Sequence, residues 1–141
     1  GGSAGDAQHL EAEFLGRFLK ERQPLPAIAL TTNASAVTAI ANDYDYSEIF
    51  SRQLQGLAKT GDVLVGISTS GNSANVIEAI KMASECGVKS IALTGQNSSE
   101  AGNLADIAIC APSTHTPRIQ EMHIAIGHTL CEIAENSLSE T

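Results

Sequence analysis

Basic residues are scarce: eight Lys and Arg stand against sixteen Asp and Glu, for a formal net charge of −8. A surface this acidic repels phosphate backbones, which argues against nucleic-acid binding as the main role. No apolar run reaches the length of a membrane span. Long charge blocks, low-complexity tracts and internal repeats are also absent. The three cysteines, Cys86, Cys110 and Cys131, have no CxxC spacing and make no zinc knuckle. They are expected as small buried hydrophobes in a reducing compartment. The chain opens on Gly1, Gly2 and Ser3 without a start methionine or a signal-like segment, which suits the interior of a longer protein.

What is present suits one globular domain over 1–141. Hydrophobic residues make up 43% and charged residues 17% of 141 positions, enough for a core. Helical spacing of Leu10, Phe14, Leu15, Phe18 and Leu19 predicts a helix over 3–22, ended by Pro24 and Pro26. Ala27–Leu30 reads as a short strand, 34–41 as a short helix, and Ser47 as the cap of a helix running to about Ala58. Val63–Ile67, Val88–Thr94 and Ile107–Ala111 are continuous apolar runs, as in strands buried on both faces. A helix to about Cys86 separates the first two, with Gly87 as its C-terminal stop. A polar loop over 95–102, with room for one helical turn, follows the second, and a long helix over 118–137 follows the third. This alternation predicts an α/β three-layer sandwich around a parallel, doubly wound, flavodoxin-like sheet. Ligands bind at the carboxyl ends of such strands.

One loop sits at such an end. Ser68, Thr69, Ser70 and Ser73 offer four hydroxyls, and Gly71 permits a left-handed turn. Ser73 opens a helix whose first N–H groups are unpaired and whose dipole favours an anion. A plain turn with a serine cap uses the same residue types. No Walker lysine is present, so triphosphate hydrolysis is not suggested. His9 and Glu13 are four apart on one helix face, a spacing that serves a zinc-like metal or a surface ion pair. Gln120 and His128 lie about 80° apart around the last helix and can share a site. His123 points elsewhere, to core or surface.

The chain resembles the phosphoheptose isomerases of the sugar isomerase (SIS) domain superfamily over about residues 1–136. The resemblance rests on GGSAGDAQHLEAE at 1–13, LPAIAL at 25–30, AIANDYDYSEIFSRQ at 39–53, GDVLVGISTSGNSANVIEAI at 61–80, IALTG at 91–95 and RIQEMHIAIGHTL at 118–130. It implies a five-stranded parallel sheet and a cytoplasmic homotetramer with active sites at subunit interfaces. It also implies an activity: isomerisation of sedoheptulose 7-phosphate to D-glycero-D-manno-heptose 7-phosphate, on the way to activated heptose. The positions matching the family's zinc ligands are His9, Glu13, Gln120 and His128, for one zinc ion per subunit. Those matching its substrate contacts are Gly1, Gly2, Asn42, Asp43, Ser68, Thr69, Ser70, Ser73 and Gln120.

By the same resemblance Glu13 is the catalytic base and His128 its acid partner. Pro117 stands where some members carry an acidic residue. A scaffolding branch that binds a replication initiator is the main rival, and a sugar-phosphate sensor is another. Glu13, His128 and Ser70 match the isomerases rather than the scaffold branch. Family members also carry an N-terminal segment that brings a further central strand into the Gly1–Gly2 turn. The resemblance implies that the native protein contains it, and that without it a gap opens between Ala27–Leu30 and Val63–Ile67.

Overall fold

The computed structural model describes residues 1–96 and 99–139. Three parallel strands, β1 (Val63–Ile67), β2 (Lys89–Thr94) and β3 (Ile107–Cys110), lie in the order β1-β2-β3. Val63 is opposite Lys89 and Ile67 opposite Leu93; on the other side Ile91 is opposite Ile107 and Thr94 opposite Cys110. Six α-helices surround the sheet: α1 (Gly2–Leu15), α2 (Ala34–Asp43), α3 (Ser51–Leu57), α4 (Ala74–Glu85), α5 (Glu100–Leu104) and α6 (Thr116–Ser139). The crossovers β1-α4-β2 and β2-α5-β3 put α4 and α5 on one face, with α3 against α4. Helices α1 and α6 pair with each other and reach β1 and β2 respectively. This is the expected α/β layering with a parallel sheet.

The core follows from one helix stripe. Val76, Ile77, Ile80 and Ala83 recur along α4, and all are buried. They meet Ala92 of β2, Ala101 of α5, and Leu54 of α3 together with Val88. Gly66 brings β1 close to α4, because a Cβ there would lie 3.0 Å from Val76 Cγ1. At the other end of the sheet Asp106 ties β2 to the segment before β3. Its carboxylate accepts from Lys89 Nζ at 2.6 Å, Ser90 N at 2.9 Å and Ser90 Oγ at 3.1 Å.

Several expectations are corrected. The first helix stops at Leu15 rather than near residue 22, because Gly16 breaks it and Arg22 folds back onto its last carbonyls. Ala27–Leu30 forms no strand. A trench of about 1470 Å³ lies between it and β1, so no neighbouring backbone is in ladder range among the described residues. Among the described residues strand β1 borders the gap expected in the absence of an N-terminal segment, with Val63 58% exposed; β3 is also largely exposed. The described sheet has three strands; of the five implied, one was expected in the N-terminal segment and Ala27–Leu30 is the other that does not form. Ser47 caps no helix: Asp45 accepts from its N–H to start a 3-10 turn over Tyr46–Glu48, and α3 begins at Ser51. Of the cysteines only Cys131 is buried; Cys86 is half-buried and Cys110 exposed. The loop expected over 95–102 contains α5 from Glu100, while Asn97 and Ser98 lie outside the described residues.

The Lys89 ammonium, with help from the Ser90 amide, lowers the Asp106 pKa to about 2. An aspartate in an unfolded chain titrates near ~3.9. The depressed value means that this carboxylate stabilises the fold above about pH 4, and that the contribution disappears as pH falls through about 2. Asp106→Asn is therefore expected to melt below the wild type at pH 7, with the difference closing between pH 4 and 2. Melting curves across that range check it, and a gap that stays constant with pH would refute the assignment.

Candidate active site

The loop after β1 is locked from several directions. Gly71 has φ +65°, and its N–H donates to both Ser68 O (3.0 Å) and Ser68 Oγ (3.1 Å). Ser68 Oγ donates to Ser73 Oγ at 3.0 Å and lies 3.4 Å from Ser70 Oγ, so three of the expected hydroxyls converge. Ser73 is the N-cap residue of α4, but its hydroxyl makes no capping bond to the helix. That hydroxyl therefore stays with the serine cluster, beside the free first N–H groups of a twelve-residue helix. The loop's other side is held by Ala101 N to Gly71 O (2.9 Å), Glu100 N to Asn72 Oδ1 (3.0 Å) and Gly95 N to Thr69 O (3.1 Å). Thr69 and Ser70 also line a polar hollow of about 220 Å³ with Gln96, Ser113, Thr114 and Thr116. Hydroxyls, amides and a helix terminus at a strand end form an anion-ready concavity without a basic side chain.

The second half of the site is built by α1 and α6, which run side by side in parallel. A Cβ on Gly127 would lie 2.7 Å from Leu10 Cδ2, and one on Gly2 would lie 2.6 Å from the Gln120 amide. These close approaches bring His9, Glu13 and His128 together. His9 Nε2 is 3.1 Å from Glu13 Oε1 and 3.4 Å from His128 Nε2. One potential ligand atom from each residue lies within 4.8 Å of the others. Two imidazole nitrogens and a carboxylate oxygen are a donor set that suits zinc, and their convergence is what a shared cation would satisfy. The Phe18 ring packs on His128, with centroids 5.4 Å apart.

The remaining expected residues are distributed differently. Gln120 sits against Gly2, eight residues and about 12 Å along α6 from His128. Gly1 and Gly2 open α1 and line the trench with Gln120 and Ser68. Asn42 and Asp43 form the exposed last turn of α2, where Asn42 Nδ2 donates to Asp43 Oδ1 at 3.0 Å.

Residues to which the sequence assigned no part in the site support this arrangement. His123 is buried, and its Nε2 donates to Thr94 O at 2.9 Å, joining α6 to the end of β2 beside the serine loop. Its Nδ1 and Asp6 Oδ2 are both buried without a hydrogen-bond partner among the described residues. Burial raises the Asp6 pKa, against the opposing pull of His123 and His9. Arg22 and Glu135 are joined at 2.8 Å and almost wholly inaccessible. Burial alone would raise the Glu135 pKa; the amides of Leu19, Phe18 and Lys20 and the Arg22 guanidinium outweigh it and hold it at about 2. One signal was available for this: Ile119, His123, Gly127, Cys131 and Glu135 recur every fourth residue, all buried, so the last polar member continues a core stripe.

Comparison with known proteins gives the same architecture a context. The SIS domain family profile matches residues 1–95. The phosphoheptose isomerase of Aliarcobacter butzleri is 57% identical over 139 residues, which is 99% of this chain and 74% of that protein. That of Rhodospirillum rubrum is 57% identical over 98% of this chain and 73% of its own length. The solved structure of phosphoheptose isomerase GmhA from Neisseria gonorrhoeae superposes with a TM-score of 0.90 at 48% identity, covering 96% of this chain and 72% of that one.

The geometry at Gly71 is directly testable. A Cβ there would lie 2.2 Å from Ser99 Oγ and 2.4 Å from Ser99 Cβ. Gly61 also has positive φ (+98°) but faces open space. Gly61→Ala should cost roughly 1–2 kcal/mol from backbone strain alone. Gly71→Ala should cost roughly 2–5 kcal/mol, because overpacking adds to the strain. Urea denaturation of the two variants measures the difference, and equal losses would show that Ser99 does not constrain the loop.

Proposed function

Because the chain belongs to the phosphoheptose isomerase family of SIS-domain proteins, we infer that it interconverts sedoheptulose 7-phosphate and D-glycero-D-manno-heptose 7-phosphate. The observation that carries this reading at the residue level is the convergence of His9, Glu13 and His128 within 4.8 Å, on helices that flank the serine loop's end of the sheet. In the proposed site the sugar phosphate is anchored by Ser68, Thr69, Ser70, Ser73 and the N-terminus of α4. Gly1, Gly2, Asn42, Asp43 and Gln120 contact the sugar.

The reaction needs a proton moved between adjacent carbons through an enediol. In the ketose-to-aldose direction, Glu13 takes the proton from C1 while His128 donates one to the C2 oxygen. The C1–H electrons form the enediol double bond as the carbonyl oxygen becomes a hydroxyl. In the second half, a proton is delivered to C2 and the O1 proton is removed, leaving the aldehyde at C1. His9 Nε2 contacts one Glu13 oxygen at 3.1 Å, which leaves the other oxygen to face a substrate.

The same three side chains fit zinc, and Gln120 is the proposed fourth ligand; its amide would have to turn from Gly2 toward His128. When bound, zinc would orient the sugar and polarise its carbonyl. One zinc per subunit and a cytoplasmic homotetramer with shared sites belong to this proposal.

Two outcomes are expected. Metal-replete protein should convert sedoheptulose 7-phosphate, contain about one zinc per subunit and lose activity to a chelator until zinc is returned. Metal-replete protein that leaves this substrate untouched would sink the reading. Glu13→Gln should bind inorganic phosphate as the wild type does but turn over at least about 100-fold more slowly. Retained turnover in that variant would reject Glu13 as the base.

A further inference from the structure

The site has a support that lies outside the residues proposed to touch metal or substrate. Glu135, on the buried stripe of α6, is 1% exposed. Its Oε1 accepts from Phe18 N (3.1 Å) and Arg22 Nε (2.8 Å), and its Oε2 accepts from Leu19 N (2.8 Å) and Lys20 N (2.9 Å). One carboxylate therefore holds three successive amides of the segment that follows α1. Arg22 completes the structure from the other side. Its Nη2 donates to Glu13 O at 2.8 Å, and its Nη1 donates to Phe14 O at 3.0 Å and Gln23 O at 3.1 Å. Glu13 O and Phe14 O belong to the last turn of α1, whose carbonyls lack partners within the helix, and Leu25 N also donates to Phe14 O at 2.9 Å.

The two arms of this unit end on the two halves of the acid–base cluster. Through Arg22 it grips the backbone of Glu13 itself. Through the Phe18 amide it sets the residue whose ring lies on His128. A displacement of the 18–22 segment would thus move Glu13 and release the face of His128 together. We propose that Arg22 and Glu135 are positioning residues of the active site: a buried clamp that fixes Glu13 and, through Phe18, His128 in the geometry that binds metal and moves the proton. The serine loop lies outside the clamp, because its own bonds run to α5 and to Gly95. Loss of the clamp should therefore impair metal binding and turnover while leaving anion binding intact. A general loss of structure would not make that separation.

The proposal rests on the isomerase reading above, and the test keeps the two apart. Wild type, Glu135→Gln and Phe18→Ala are compared as folded, purified proteins for zinc affinity by chelator competition, for inorganic phosphate affinity, and for kcat and KM. Glu135→Gln keeps the shape but loses the charge and one acceptor; Phe18→Ala keeps every backbone bond and removes only the ring. Glu135→Gln should weaken zinc binding about 10–100-fold, as loss of a ligand's supporting contacts typically does. Its kcat should fall in step, with KM and phosphate affinity within about twofold of the wild type. Phe18→Ala should shift zinc affinity and kcat in the same direction by a smaller factor, and it carries the test if Glu135→Gln does not fold. Variants that match the wild type in zinc affinity and kcat would overturn the clamp and leave the isomerase reading standing. So would variants that lose phosphate and zinc binding equally. A wild type that takes up no zinc and leaves the sugar phosphate unchanged would overturn both.

Discussion

The parallel pairing of α1 and α6 is the constraint on which the site depends. His9 and His128 are 119 residues apart in the chain, and they meet only because two helices approach closely along one line. That line has glycine wherever the helices are nearest: Gly2 against Gln120, and Gly127 against Leu10. A side chain larger than hydrogen at Gly127 would have to displace a buried leucine, at about 1–3 kcal/mol. Gly in a helix interior costs only up to about 1 kcal/mol relative to alanine. The packing term therefore outweighs the helix-propensity term, and the glycine is explained by the space between the helices.

The electrostatics divide in a way the net charge conceals. A chain with a formal charge of −8 has an anion-ready loop with no lysine or arginine in it. The loop relies on dipoles that do not titrate: hydroxyls, amides and the start of α4. The few basic residues are used elsewhere, Lys89 at the opposite end of the sheet and Arg22 at the end of α1. The carboxylates beside them, Asp106 and Glu135, have depressed pKa values, so fixed charge supports the scaffold at both places while the serine loop carries no charged side chain.

Local patterns were legible in the sequence, and long-range ones much less so. The runs at 63–67, 88–94 and 107–111 announced strands, and the stripe on α4 and the serine loop were placed correctly, because each depends on neighbours within one or two elements. His9 with Glu13 was visible as an i,i+4 pair, although nothing in its spacing separates a ligand pair from an ion pair. The exposure of β1 goes with the trench beside it: its apolar run suits two-sided burial, and the resemblance placed a further strand between Val63–Ile67 and Ala27–Leu30. The end of α1 was misplaced because its apolar spacing continues past Gly16, while Arg22, a residue outside the helix, sets its limit. Glu135 was invisible as a contact, since its partners lie more than a hundred residues away. It was detectable only as the polar member of the buried four-residue repeat on α6.

The bond from His123 to Thr94 O joins α6 to the end of β2, beside the serine loop that follows β1. From His123 to His128 the helix advances five residues, about 7.5 Å. Helix α6 thus acts as a caliper in the proposed site, with one jaw set by β2 and the other by the acid–base cluster. A helix held at that joint changes length very little, so the spacing between the end of β2 and the His9, Glu13 and His128 cluster is fixed by backbone rather than by a pocket wall.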